Sequence, residues 1–181
     1  DRLHAGTGGQ GHGAKVAQRG PGDGLPDRVG LRPGQHVVRG GAGGVGVVDA
    51  VVVVVPLFVD NDGVPDFGWM DSATADIARG LQPGTLVAYE TTLPVGTTRN
   101  RFAPMLSEGS GLSAGSDFHL VFSPERVFTG RVFADLRKYP KLVGGITEAS
   151  TQAGISFYEA VLDFDERQDL PRPNGVWDMG S

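Results

Sequence analysis

The sequence contains no cysteine. Disulfides, thiolate metal sites and a cysteine nucleophile supplied by this chain are thereby excluded. A reducing cytoplasm is compatible with that absence. Aromatic residues are missing from the first 57 positions, and the first isoleucine is Ile77. Long apolar runs are missing too. The longest, from Val47 to Val59, is interrupted by Asp49 and Pro56, and it falls short of the ~20 residues that span a bilayer. Positive charge is scarce: 16 Lys and Arg stand against 21 Asp and Glu, a net charge of −5. Nucleic acid and anionic membrane surfaces need a basic face, so neither is an expected partner.

What is present falls into two unlike parts. Residues 1–46 hold 15 of the 29 glycines and three of the four histidines. Such a segment cannot bury enough apolar surface to offset its backbone entropy. Neither helical nor alternating periodicity appears before Gly34. Two readings account for it: a natural flexible leader, or an out-of-frame start in a GC-rich gene, as Arg outnumbering Lys 13 to 3 suggests. Residues 1–46 are therefore expected to be unstructured.

Gly41-Ala42-Gly43-Gly44-Val45-Gly46 matches the G-x-G-x-x-G spacing and looks like the nucleotide loop of quinone-reductase-type dehydrogenases. A real fingerprint needs a helix opening at its last glycine, with its N-terminus facing a pyrophosphate. Here Val51–Val55 begins five residues after Gly46, and no crossover helix fits that gap. A chance match in a glycine-rich tract is the better reading.

From Val47 onward the pattern is regular. Val47–Val55 reads as a strand buried on both faces and stopped by Pro56. Met70, Ala73, Ile77 and Leu81 recur at helical spacing, with Asp71 or Ser72 available as a cap. Thr85–Thr91 is a second strand. Thr97 can cap a short helix made irregular by Pro104. Phe118–Phe122 is a third strand and Lys141–Val143 a short fourth. Thr147 can cap a last helix whose inner face is Ile155, Tyr158 and Val161 or Leu162. The charged, proline-rich tail from Asp163 reads as a linker.

Alternating strands and helices imply an α/β fold: a partial Rossmann-type parallel sheet with flanking helices. Ligands of such sheets sit beyond the carboxyl ends of the strands. Three turns fall there: Pro56-Leu57, Glu90-Thr91-Thr92-Leu93-Pro94 and Ser123-Pro124-Glu125-Arg126. Tyr89 and His119 lie within strands and read as packing residues. Asp60 and Asp62 read as solvated turn carboxylates.

The turns carry a resemblance. "VVVVVPLF", Pro65-Asp66, "LVAYETTLPVGTT", "FHLVFSPERVFTGR" and "PKLVGG" follow one another in order. The set resembles the UDP-glucose/GDP-mannose dehydrogenase superfamily, and is nearest the UDP-N-acetylmannosamine dehydrogenase type, which has Pro-Glu-Arg at the third turn. The resemblance implies a cytoplasmic, NAD-dependent enzyme of polysaccharide biosynthesis, homo-oligomeric when complete. It would oxidise the C6 alcohol of a UDP-sugar to a carboxylate through a cysteine-bound thioester. It also implies that Val55 and Pro56 line the adenosine side of NAD, that Thr92 approaches the nicotinamide and a catalytic water, and that Glu125 is a cofactor-proximal acid/base that activates water. Residue by residue, the alternative for Glu125 is a surface carboxylate paired with Arg126 or Arg131. For Thr92 it is a threonine satisfying local backbone.

The departures from the family are as informative. No glycine fingerprint opens a first strand, the chain ends where the catalytic Lys and Asn are expected, and the cysteine is absent. A second carboxylate of some members is Thr129 here. These gaps imply a partial NAD-binding domain at residues 47–164, with residues 165–181 leading toward a missing central domain. The isolated chain is expected to be incompetent. A non-catalytic Rossmann-like remnant without tight cofactor binding is the rival reading.

Overall fold

The valine run after Asp49 enters the sheet one strand in from its edge. In the computed structural model, which describes residues 38–42, 45–127 and 130–181, it forms the end of strand β2 (Val45–Val53). Strand β1 (Val38–Ala42) pairs antiparallel with β2. Of the expected leader over residues 1–46, residues 38–42 and 45–46 lie in these two strands, and the rest lies outside the described residues. Gly41 and Gly46 sit in the two arms of this hairpin, and no helix follows them before β2 ends. The fingerprint-like string is not a phosphate loop.

Strands β5 (Leu86–Tyr89), β6 (His119–Phe122), β7 (Lys141–Gly145) and β8 (Val176–Asp178) complete a six-stranded sheet in the order β1-β2-β5-β6-β7-β8. A separate two-residue pair, β3 (Phe58–Val59) and β4 (Pro65–Asp66), lies between β2 and the first helix. The central strands β2, β5 and β6 are parallel, as alternation of strands and helices predicts. The fourth expected strand departs from that pattern: β7 runs antiparallel to β6. A parallel return needs a crossover that carries the chain to the far end of the sheet. Between β6 and β7 the only described helix is α3 (Val132–Lys138), and the chain returns from the end it left. The tail adds a further departure, because β8 pairs parallel with β7 where a linker is expected.

Side-chain alternation along the strands divides the core into two layers. Val51, Val53, Val87, Tyr89 and Leu120 face helices α1 (Gly68–Gly80) and α2 (Ala103–Ser110). Ala50, Leu86, Ala88, Val121 and Val143 face helix α4 (Glu148–Val161). Helix α1 buries Met70, Thr74, Ile77 and Ala78 at helical spacing. It starts at Gly68, ahead of the expected Asp71 or Ser72 cap, and the Asp66 carboxylate accepts from the Gly68 amide at 2.9 Å. A π turn at Thr98–Phe102 precedes α2. Pro104 lacks the N–H that an α turn would use there. The Thr97 hydroxyl donates to the Pro94 carbonyl at 2.7 Å instead of capping.

Thr147 does cap α4, accepting from the Ser150 amide at 3.1 Å. Of the expected inner face, Tyr158 is buried, Ile155 and Leu162 pack partly against the core, and Val161 is exposed. Close approach of α4 to the sheet depends on Gly154: a Cβ there would stand 2.7 Å from Val143 Cγ1.

Candidate active site

The carboxyl ends of β2, β5 and β6 lie side by side, and their ladder continues into the turns. The Glu90 amide donates to the Val53 carbonyl at 2.9 Å, and the Ser123 amide to that of Tyr89 at 2.9 Å. The Glu125 amide then donates to the Glu90 carbonyl at 2.9 Å. The Thr91 hydroxyl reaches back to the Val55 carbonyl at 2.6 Å. These bonds join the three turns that the sequence singles out. Val55 is buried, Pro56 and Glu125 are partly buried, and Thr92 is exposed on the turn after β5. Thr92's neighbours Glu90 and Thr91 make the bonds that fix the turn.

Glu125 is not a surface carboxylate paired with Arg126 or Arg131. Its Oε2 accepts from Lys141 Nζ at 3.0 Å, and its Oε1 accepts from the Arg126 backbone amide at 2.8 Å. The Arg126 guanidinium donates to the Pro140 carbonyl, and Arg131 pairs with Asp135 at 3.3 Å. Lys141 also pairs with Glu90 Oε1 at 2.9 Å, and that same oxygen accepts from the Tyr158 hydroxyl at 2.7 Å. The lysine side chain is 5% exposed, against 14% for Glu90 and 30% for Glu125. A buried ammonium is tolerated only when its N–H groups are paired. Burial holds the Tyr158 hydroxyl well above the usual tyrosine range, and the charge and hydrogen bond of Glu90 push it the same way.

The sequence places Glu90 only in a turn and Tyr158 on an inner helix face, and it does not mark Lys141. A signal existed for each. Lys141 and Glu90 are lone charges at the ends of apolar strands, and a buried tyrosine hydroxyl needs a partner.

The other candidates behave as packing and turn residues. Tyr89 stacks on Phe102 at 4.4 Å between centroids and shares a 2.7 Å hydrogen bond with Thr74. His119 is half-buried at the start of β6. Asp60 Oδ1 accepts from the amides of Asp62 and Val64, closing its own turn. Among the described residues no cluster of acids and histidines could hold a metal ion. Thr129 lies outside the described residues.

The sequence and the fold have counterparts among known proteins. The family described as UDP-glucose/GDP-mannose dehydrogenase family, NAD binding domain, matches residues 42–162. The chain belongs to this family. A UDP-N-acetyl-D-mannosamine dehydrogenase of Pyrococcus horikoshii is 33% identical over 112 residues, covering 62% of the chain and 26% of the relative. An NDP-N-acetyl-D-galactosaminuronic acid dehydrogenase of Ralstonia solanacearum is 34% identical over 117 residues, covering 61% and 28%. The crystal structure of an NDP-N-acetyl-D-galactosaminuronic acid dehydrogenase from Methanosarcina mazei Go1 superposes with a TM-score of 0.62 at 34% identity, covering 72% of the chain and 26% of that protein. The chain thus spans little more than a quarter of the length of these relatives.

The family's cofactor sets a test that the described residues do not pass in full. A dinucleotide's pyrophosphate needs a glycine loop opening a helix. Here β2 is preceded by an antiparallel hairpin arm. The first described helix after it, α1, opens only after the β3–β4 pair, and the Asp66 carboxylate bonds to its first amide. The turns can line a cofactor's flank, but the described residues do not fit its diphosphate.

Proposed function

We propose that the chain is a partial NAD-binding domain of a nucleotide-sugar 6-dehydrogenase of the UDP-N-acetylmannosamine type, incompetent by itself. Within the complete enzyme, Val55 and Pro56 flank the adenosine side of NAD, Thr92 faces the nicotinamide side, and Glu125 orients and deprotonates water. The complete enzyme would be a cytoplasmic homo-oligomer acting on a UDP-sugar. No described helix is long and apolar enough to cross a membrane, which is compatible with that setting.

The observation that carries this reading is the anchoring of Glu125. Each of its carboxylate oxygens accepts one described protein hydrogen bond, and a carboxylate offers about four lone-pair positions. The remaining positions leave it able to hold and deprotonate a water at the strand ends. The absence of cysteine removes the nucleophile that a thioester route requires. The unmatched diphosphate site favours the rival, a remnant that does not hold NAD tightly.

Two measurements test the reading. The purified chain, mixed with NAD and UDP-N-acetylmannosamine, should form no NADH, and calorimetry should detect no micromolar NAD binding. Either signal would overturn the claim of incompetence. In an enzyme completed with the missing segments of a relative, Glu125→Gln should lower turnover by about 10²–10⁴, the scale for a positioned acid/base group. Unchanged turnover would remove Glu125 from the chemistry.

A further inference from the structure

The reversal of β7 has a local effect on charge. Val121 pairs with Gly145 and Phe122 with Gly144. Continuing that antiparallel register three residues past Phe122 sets Lys141 opposite Glu125. A parallel β7 would begin at the other end of the sheet, far from the turn that carries Glu125. The antiparallel strand therefore delivers a lysine from its first residue to the mouth where the parallel strands end.

That lysine is fully engaged. Its ammonium donates to Glu125 Oε2 at 3.0 Å and to the Ser123 carbonyl at 3.4 Å, and it forms an ion pair with Glu90 Oε1 at 2.9 Å. The ring of Tyr158 lies 4.8 Å from Nζ on a further side. With its side chain only 5% exposed, this ammonium faces its protein partners and is not placed to act on a substrate as an acid. Glu90 is the less exposed of the two carboxylates and is held from behind by the Tyr158 hydroxyl. The ammonium is thus fixed against Glu90 and Tyr158 and presents its charge outward to Glu125.

We infer that Lys141 is the positioning residue for Glu125, with Glu90 and Tyr158 as the support that holds the lysine. Glu125 is then clamped at both oxygens, by Lys141 on one and by its neighbour's amide on the other. The clamp fixes the plane of the carboxylate and leaves its outer lone pairs for a ligand. The inference rests on the proposed role of Glu125 and adds what keeps that group in place.

The test uses the purified chain and needs neither cofactor nor turnover, so its failure is distinguishable from failure of the proposed function. In nuclear magnetic resonance, the Lys141 ammonium should give an observable signal. That signal should show through-hydrogen-bond coupling to the side-chain carboxylate carbon of Glu125. Absence of that coupling would overturn the clamp. The Arg126 amide proton, bonded to Glu125 Oε1, reports on the carboxylate directly. Lys141→Met should move that proton by at least half the displacement seen in Glu125→Ala, while amides of α1 on the opposite layer stay in place. An Arg126 amide unmoved by Lys141→Met but moved by Glu125→Ala would mean that Glu125 holds its position without the lysine. Should Lys141→Met fail to fold, the coupling in the unmodified chain decides the question.

Discussion

The backbone amide of Glu125 donates to the backbone carbonyl of Glu90 at 2.9 Å, so the two turns that carry carboxylates are joined through the main chain before any side chain acts. Lys141 then bridges the side chains of the same two residues. Two acidic groups are held close by a main-chain bond that their charges cannot undo, and a single ammonium sits between them.

Removing that ammonium should therefore be expensive. Lys141→Met leaves two carboxylates facing each other in a largely buried site. Loss of one partner from a buried ion pair typically costs about 3–5 kcal/mol, and the partial exposure of Glu125 lowers the expectation to about 2–4 kcal/mol. Urea denaturation should show this as a lower midpoint at similar slope. Adding Glu90→Gln to Lys141→Met should recover part of the loss, because it removes the repulsion. No loss in the single variant, or no recovery in the double, would refute the account.

Tyrosine ionisation supplies a second expectation. Burial raises both Tyr158 and Tyr89 above the usual value of 10.0. Glu90 adds to the rise at Tyr158, and the Thr74 hydrogen bond subtracts from it at Tyr89. Above about pH 10 the unfolded chain loses these protons while the folded chain keeps them. The folded state then binds more protons, so stability falls as pH rises through that region and is fully present below it. In a Tyr89→Phe background, Glu90→Gln should bring Tyr158 ionisation to lower pH in ultraviolet titration. An unchanged titration would mean that the Glu90 charge does not act on the ring.

The Thr74–Tyr89 hydrogen bond gives a third. Both groups are fully buried and 2.7 Å apart. Thr74→Val leaves the tyrosine hydroxyl without this partner and should cost about 1–3 kcal/mol. Thr74→Val with Tyr89→Phe should cost less than the sum of the singles, since the second change removes the orphaned group. Additive losses in thermal unfolding would contradict this.

Glycines at the α4 contact give a fourth. An added Cβ at Gly145 would stand 2.4 Å from the Thr151 amide nitrogen and 2.7 Å from the Thr147 carbonyl, both backbone atoms, whereas Gly175 has open space. Gly145→Ala should destabilise by about 1–3 kcal/mol or more, the scale for forced overpacking. Gly175→Ala should be close to neutral. Equal effects at the two positions would show that α4 can shift away from β7 at little cost.

The parallel strands, the Thr147 cap and the three turns were legible in the sequence because each rests on local pattern: a β-branched run, a threonine three residues before a serine amide, a proline after a strand. What was not legible is non-local. Nothing local in "KLVGG" states that β7 runs backwards, and with a parallel β7 Lys141 falls at the wrong end of the sheet. Glu125 is legible from its motif, but its partner depends on that direction, and proximity in sequence points instead to an adjacent arginine. Strand β8 was hidden for a related reason. Val176 to Asp178 has no period long enough to register amid prolines and charges, and it becomes a strand only because β7 offers a free edge.

The two borders of the sheet differ in kind. Past the β7–β8 pairing, the outer strand ends in Asp178, and the Arg172 guanidinium covers Trp177 at 4.2 Å from the ring centre. At the other border β1 accompanies β2 only as far as Ala50. A charged end and a guanidinium-covered ring on an outer strand disfavour pairing with another chain. The β8 border therefore carries its own guard against strand addition by a second molecule.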